Sequence, residues 1–234
     1  MEKLIYALWR DEAEPRVAFN DRLLGAVAAE LAPHTRALRI NVQDESVATG
    51  SSPHFIVTQP QMEAMVQMWV DTAYPPARAP IEKALARVAP RYEGWLVSES
   101  IPLPNSACPP GLPTDGFAQV VFIEKPAALD HETWRRNWQD GHTDVAVETQ
   151  SNFEYVQNLV VRPLTEGAGP YAAVVEECFP LAARTDKALF YDAVGDAARL
   201  EANEARMMAS CANFIGEKGC DCIPMRQYQI KQFA

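Results

Sequence analysis

Phe117-Ala118-Gln119-Val120-Val121-Phe122-Ile123-Glu124-Lys125-Pro126 is the stretch whose reading decides the fold. Its β-formers predict a strand from Phe117 to Glu124, and the Lys-Pro step ends it. Outward from there, Asp130 is a good helix N-cap, with Glu132 favourable in the first turn, and the helix is expected to run to about Thr149. Asn152 to Leu164 reads as a strand, with Phe153, Tyr155, Gln157, Leu159 and Val161 alternating against Glu154, Val156, Asn158, Val160 and Arg162. Gly167-Ala168-Gly169-Pro170 is a turn, and Tyr171 to Phe179 a third strand. Thr185 or Asp186 caps a second helical region that continues to about Phe214, with a break at Gly195 and a stop at Gly216 and Gly219. Ile223 to Phe233 supplies a last strand. The order is β-α-β-β-α-β.

The other half gives the same order with weaker signals. Lys3 to Trp9, Thr35 to Val42, Gln61 to Val70 and Trp95 to Ile101 read as strands. Asp21 to Leu31 and Pro80 to Val88 read as helices, from the periodic Leu23, Leu24, Val27, Ala28 and Leu31 and from Ile81, Leu85 and Val88. Met62, Ala64, Val66, Met68 and Val70 share one strand face. Between the halves, the run from Ile101 to Pro113 holds five prolines, which forbid helix and central strand. The expected division is therefore a first unit over residues 1–105, a Pro-rich linker over 106–116 and a second unit over 117–234. One four-stranded βαββαβ sheet leaves a bare face that has to be buried. The expected α+β fold is thus two tandem ferredoxin-like βαββαβ units whose sheets form one α+β barrel enclosing a pocket.

The 234 residues suffice for two such units, and 48% of them are hydrophobic. A net charge of −10 without clustered Lys and Arg argues against nucleic acid and against an anionic membrane surface as partners. No stretch approaches the length of a membrane-spanning helix. The opening Met1-Glu2-Lys3-Leu4-Ile5-Tyr6 is charged too early for a signal peptide, which makes a cytoplasmic protein the expectation. The five cysteines, Cys108, Cys178, Cys211, Cys220 and Cys222, have neither disulfide-framework nor zinc spacing, so no metal is expected. Nucleotide-binding glycine fingerprints, phosphate loops and nucleophile elbows are missing too.

One helix carries the candidate chemistry. In His131-Glu132-Thr133-Trp134-Arg135-Arg136-Asn137-Trp138-Gln139-Asp140-Gly141-His142-Thr143-Asp144-Val145, steps of four and three put Trp134, Trp138, His142 and Val145 on one stripe. An imidazole on a tryptophan-lined stripe is desolvated, stays neutral near pH 7 and can serve as a general base. The competing role is a core histidine tied to a backbone carbonyl. Gly141 beside it points to a close approach by backbone or ligand. On β-strands, Glu176 and Glu177 point to opposite faces, and an inward Glu176 is expected to orient His142 or act as an acid. Tyr155 and Tyr171 are candidate hydrogen-bond donors to substrate. Trp69 is the first half's candidate for the pocket wall, while His34, His54 and His131 are expected at the surface.

Residues 117–126, the helix from Leu129 to His142, Tyr155-Val156-Gln157-Asn158, the strand from Tyr171 with Glu176, and Ala212-Asn213-Phe214 together resemble the EthD-domain family, which belongs to the dimeric α+β-barrel superfamily. The resemblance covers Phe117 to Phe214; in the first half only the element order is similar. Two departures stand out: Ala172-Ala173 follow Tyr171 where the family often has Asp-Gly, and Ser210-Cys211 stand where it often has an acidic pair. The resemblance implies a barrel acting on aromatic or hydrophobic small molecules, with His142 as the residue carried over.

The expected function is a cofactor-independent enzyme of aromatic catabolism, a lyase (loss of formaldehyde or CO2 from an aryl side chain) or an isomerase. His142, Glu176 and Tyr155 are the expected catalytic residues, with Trp138, Trp134, Tyr171 and Trp69 binding substrate. A cofactor-free oxygenase, a non-catalytic binder of hydrophobic ligands and a haem protein are the other readings. A monomer or a homodimer is expected.

Overall fold

A computed structural model describes residues 1–105 and 107–233. Ser106, the first residue of the expected linker, and Ala234, the last of the expected second unit, lie outside the described residues. The strands are β1 (Glu2–Trp9), β2 (Ala37–Val42), β3 (Ala64–Val70), β4 (Arg91–Leu103), β5 (Phe117–Glu124), β6 (Glu154–Pro163), β7 (Tyr171–Phe179) and β8 (Asp221–Lys231). They close into a single barrel in the order β1-β3-β2-β8-β5-β7-β6-β4, with every pair antiparallel. Closure leaves no free sheet edge. The first four strands form the run β2-β3-β1-β4 and the last four the run β8-β5-β7-β6, so the halves meet at the β2–β8 and β4–β6 seams.

Helices cover the outside of the sheet. Residues 16–34 are helical throughout and include a π turn at Leu23–Val27; with Pro75–Val88 they pack Leu23, Leu31, Ile81 and Leu85 onto Leu4, Tyr6, Ile40 and Val66. Both helices begin earlier than expected: Pro15, Pro75 and Pro76 sit before or within a first turn and forfeit no intrahelical hydrogen bond, while Pro80 lies inside the second helix, which continues past it. On the second half, the helical residues 131–149 and the helix Ala197–Cys211 cover Tyr155, Val175, Phe179 and Cys222.

Three expectations need correction. The Pro-rich run was expected to exclude helix and central strand, but β4, which lies between β1 and β6, continues through Pro102 to Leu103; its register against β6 shifts between Ser100 and Leu103, and a bulge tolerates the missing donor. Met62 packs in the lumen while Ala64, Val66 and Met68 face the helices, because Met62 precedes β3 and escapes its alternation. The third concerns the lumen, which is filled with side chains. Ile5, Trp95, Met65, Phe122, Val174 and Met225 occupy part of it. The rest holds a polar cluster around Arg39, whose Nη1 donates to Glu154 Oε1 at 2.6 Å and Glu176 Oε2 at 3.0 Å.

Glu176 is completely buried. Burial works to raise its pKa, but Arg39 and the side-chain amides of Gln67, Gln227 and Asn41 overcome this and hold it below the usual carboxylate value. Its stabilising contribution is therefore present above the unfolded-state pKa and lost as the pH falls through the folded value. We expect Arg39→Leu to leave two buried carboxylates uncompensated and to lower stability by about 3–5 kcal/mol, read by urea denaturation at pH 7. A loss under 1 kcal/mol would show that the cluster does not depend on the guanidinium.

Candidate active site

The cavity lies on the outer face of the sheet, between β5, β6, β7 and β8 and the helices of the second half, not within the barrel as expected. Its volume is about 370 Å³, within the range of small-molecule sites. The wall is mostly apolar, with Trp138, Phe190, Met207 and Phe214 prominent. The roof is the β2–β3 connection of the other half: Phe55 exchanges backbone hydrogen bonds with Cys222 of β8. Two buried charges pin this roof. Arg184 donates to Val47 O, Ser52 O and Ser52 Oγ, and the Asp221 carboxylate accepts from the backbone N–H groups of Val57 and Thr58 and from Gln61.

The helix carrying the histidine is broken. Arg136–Asp140 forms a π turn, followed by Gly141 and then Thr143–Thr149. A Cβ on Gly141 would stand 2.9 Å from Asn137 O, so this glycine serves the close backbone of the π turn. The extra residue also shifts the helical phase. Trp134, Trp138 and His142 share the inward stripe as expected, but beyond the break Ala146 and Thr149 are buried and Val145 is only half-buried.

His142 is 7% exposed, lines the cavity and packs at a tilt on Phe214, with ring centroids 4.7 Å apart. Its Nδ1 pairs with Ser210 Oγ at 2.9 Å. Burial lowers its pKa to about 4, so the ring is neutral. Ser210 occupies one of the two places where the family resemblance suggested an acidic pair. A carboxylate there would favour the imidazolium; a serine leaves it uncharged.

Of the two neighbouring glutamates of β7, Glu177 lines the cavity and Glu176 does not; Glu204, paired with Lys187 at 2.6 Å, is a second carboxylate in the lining. Glu177 is 9% exposed, and Asn152 Nδ2 donates to its Oε1 at 3.0 Å. Burial raises its pKa to about 7. In the sheet register Glu177 lies opposite Tyr155 on β6. The Tyr155 hydroxyl accepts from Gln157 Nε2 at 3.1 Å, which leaves its own proton to donate, and burial raises its pKa. The Trp138 indole N–H has no hydrogen-bond partner among the described residues. Burial holds the cavity thiols Cys211 and Cys220 protonated, with pKa values raised to about 12 and about 11.

Of the residues expected at the site, His142, Tyr155 and Trp138 meet in this cavity. Glu176 does not, because the alternation of β7 sends it into the lumen. Trp134 stacks behind Trp138 at 5.3 Å and spends its indole N–H on Phe214 O. Tyr171 packs on Trp95 and Phe122 and pairs with Thr58 Oγ1 at 2.8 Å. Trp69 donates to Glu99 at 2.8 Å in the first half, with the Lys3 ammonium over its ring. His34, His54 and His131 are exposed. Among the described residues, no cluster of three or more His, Cys, Asp or Glu side chains is arranged to hold a metal, and no helix is long and apolar enough to cross a membrane.

No protein-family model matches the chain, so the EthD resemblance gains no support there, and no curated protein matches it in sequence. Solved structures do. An anthrone oxidase-like protein matches with a TM-score of 0.52 at 10% identity, over 100% of this chain and 94% of its own. A protein provisionally called a monooxygenase, from Fusobacterium nucleatum subsp. nucleatum, matches with a TM-score of 0.50 at 9% identity, over 98% of this chain and 92% of its own. The chain is an α+β-barrel protein. At these identities the likeness carries the fold alone.

Glu177 makes the barrel's stability depend on pH. Its folded pKa of about 7 exceeds the unfolded value near 4.3, so its own contribution to stability is greatest below about pH 4, falls as the pH rises towards 7 and levels off above it. We expect Glu177→Gln to match the wild type at pH 4 and to exceed it by about 3 kcal/mol at pH 8 in urea denaturation, from a shift of roughly two and a half units. Equal stability of the two proteins at pH 8 would mean that the carboxyl is solvated.

Proposed function

We propose that the cavity is the active site of an enzyme that removes a proton from a carbon acid in an aromatic or otherwise hydrophobic small molecule, using its own side chains and no organic cofactor. The observation that carries this reading is a desolvated carboxyl with a pKa of about 7 in the same apolar cavity as a neutral imidazole. Groups with separated pKa values divide the acid and base roles.

The division differs from the one expected from sequence. A histidine whose conjugate acid has a pKa near 4 is a base roughly 10³-fold weaker than a carboxylate near 7. Glu177 therefore takes the proton from carbon. The negative charge that develops on an adjoining carbonyl or aryl oxygen is met by hydrogen bonds from His142 and Tyr155. The apolar walls exclude water and strengthen these bonds. Return of the proton to another carbon makes an isomerase, and cleavage of a neighbouring carbon–carbon bond makes a lyase. The second reading is a cofactor-free oxygenase, in which the carbanion gives its electrons to dioxygen. It begins with the same removal of a proton from carbon, and the anthrone oxidase-like protein shares the fold.

In this reading the chain is two tandem ferredoxin-like units, of which the second works as the catalytic half and the first closes the barrel and supplies the roof. One chain then completes the site without a second copy.

Anthrone and 2-tetralone, two aromatic ketones with an acidic CH2, serve as probes in deuterium oxide. NMR is expected to show exchange at that carbon, with kcat/KM rising about tenfold per pH unit below pH 7 and level above it. Glu177→Gln is expected to lose at least about 100-fold and His142→Ala about 10- to 100-fold, with folding retained. Oxygen uptake accompanying exchange selects the oxygenase. Probe that quenches tryptophan fluorescence but is recovered without deuterium marks a binding protein, and undiminished exchange in Glu177→Gln removes that residue as the base.

A further inference from the structure

Gln119 lines the cavity on β5, is 5% exposed, and its Oε1 has no hydrogen-bond partner among the described residues. The orientation of its amide is set by its surroundings. Nε2 lies 2.6 Å from Cys222 Sγ and 3.5 Å from Pro53 O. A carbonyl oxygen only accepts, so the nitrogen takes that side and the oxygen is turned away from it. Buried acceptors in folded proteins are nearly always satisfied, and the side chain that carries this one lines a cavity large enough to bring a partner to it.

The sheet register places Gln119 with respect to the reacting groups. Gln119 lies directly opposite Glu177 on β7, and Glu177 directly opposite Tyr155 on β6. The three form one polar row across the cavity floor, each step one strand spacing of about 4.8 Å. A flat ligand over this row sets one edge above Gln119 while a carbon beside its ring stands at Glu177. A hydroxyl suits Gln119, because it supplies the single donor that a carbonyl oxygen needs and brings no charge into a wall that includes Phe190, Met207 and Val121.

We propose that Gln119 Oε1 accepts a hydrogen bond from a hydroxyl group of the ligand, so that the cavity selects hydroxylated aromatic molecules over their unsubstituted counterparts. This rests on the reading of the cavity as a substrate site, and it makes Gln119 a specificity-determining residue rather than a catalytic one. An apolar analogue leaves the carbonyl buried and unpaired, the situation in which polar sites discriminate most strongly.

The test uses 2-tetralone and 6-hydroxy-2-tetralone, whose hydroxyl lies across the ring from the acidic CH2, with binding followed by quenching of tryptophan fluorescence. The wild type is expected to bind the hydroxylated probe at least tenfold more tightly. Gln119→Met is expected to bind both alike, with 2-tetralone bound more tightly than by the wild type because no carbonyl is left unpaired. Gln119→Asn retains the amide but draws it back by one methylene, so a lower preference in a folded Asn variant supports the assignment even where the Met variant fails to fold. A preference undiminished in either folded variant, or a wild type without preference, overturns it. Deuterium exchange on the same samples separates the two ideas. Preference without exchange keeps the role of Gln119 and removes the proton-transfer chemistry; exchange without preference does the reverse.

Discussion

A strand buried on both faces sends consecutive side chains into two different environments, and β7 carries two glutamates where this matters most. Glu176 points into the lumen, where Arg39 and three amide side chains keep it an anion. Glu177, one residue on, points out between sheet and helices, where a single hydrogen bond from Asn152 does little to offset desolvation. The first serves the barrel and the second is available to a ligand. The polar row on the cavity floor and the roles assigned to the imidazole and the carboxyl follow from that alternation.

The two halves use their sheet–helix space differently. In the first, Tyr6 lies so close to the backbone of β4 that a Cβ at Gly94 would stand 2.4 Å from its ring, and its hydroxyl is engaged by Glu82 at 3.0 Å. Leu23, Leu31 and Leu85 complete that packing. In the second half the corresponding layer is held open by a helix that breaks at Gly141 and by bulky aromatics that pack against one another around the gap: Trp134 on Trp138 and Phe179 on Phe190.

Much of the architecture was legible because it rests on local rules. Phe117–Glu124 and Tyr171–Phe179 are bounded by Pro126, Gly169-Pro170 and Pro180, and both strands occupy the expected spans. The stripe of Trp134, Trp138 and His142 follows from helical spacing alone. What escaped depends on tertiary context. A π turn has no periodic signature, so the stripe was carried one step too far, to Val145. Glu176 has Val174 and Cys178 as same-face neighbours, and Glu177 has Val175 and Phe179; both faces are apolar, so strand parity alone could not say which carboxyl meets the helix. Gln119 is one polar residue in an apolar strand, visible as a site residue only once β5, β7 and β6 are aligned. The segment Ser51-Ser52-Pro53-His54-Phe55 reads as an ordinary polar loop, because its destination on Cys222 is set by the closure of the barrel.

That roof ties the site to the seam between the halves. Its anchors, Arg184 and Asp221, belong to the half that holds the floor, while the covering residues belong to the other. The height of the chamber is therefore governed by how β2 sits against β8, a pairing whose register shifts between Leu38 and Arg39. Substitutions along that join can retune what the chamber admits without touching its walls, and the second half severed from the first would keep its acid and its imidazole but stand open to water.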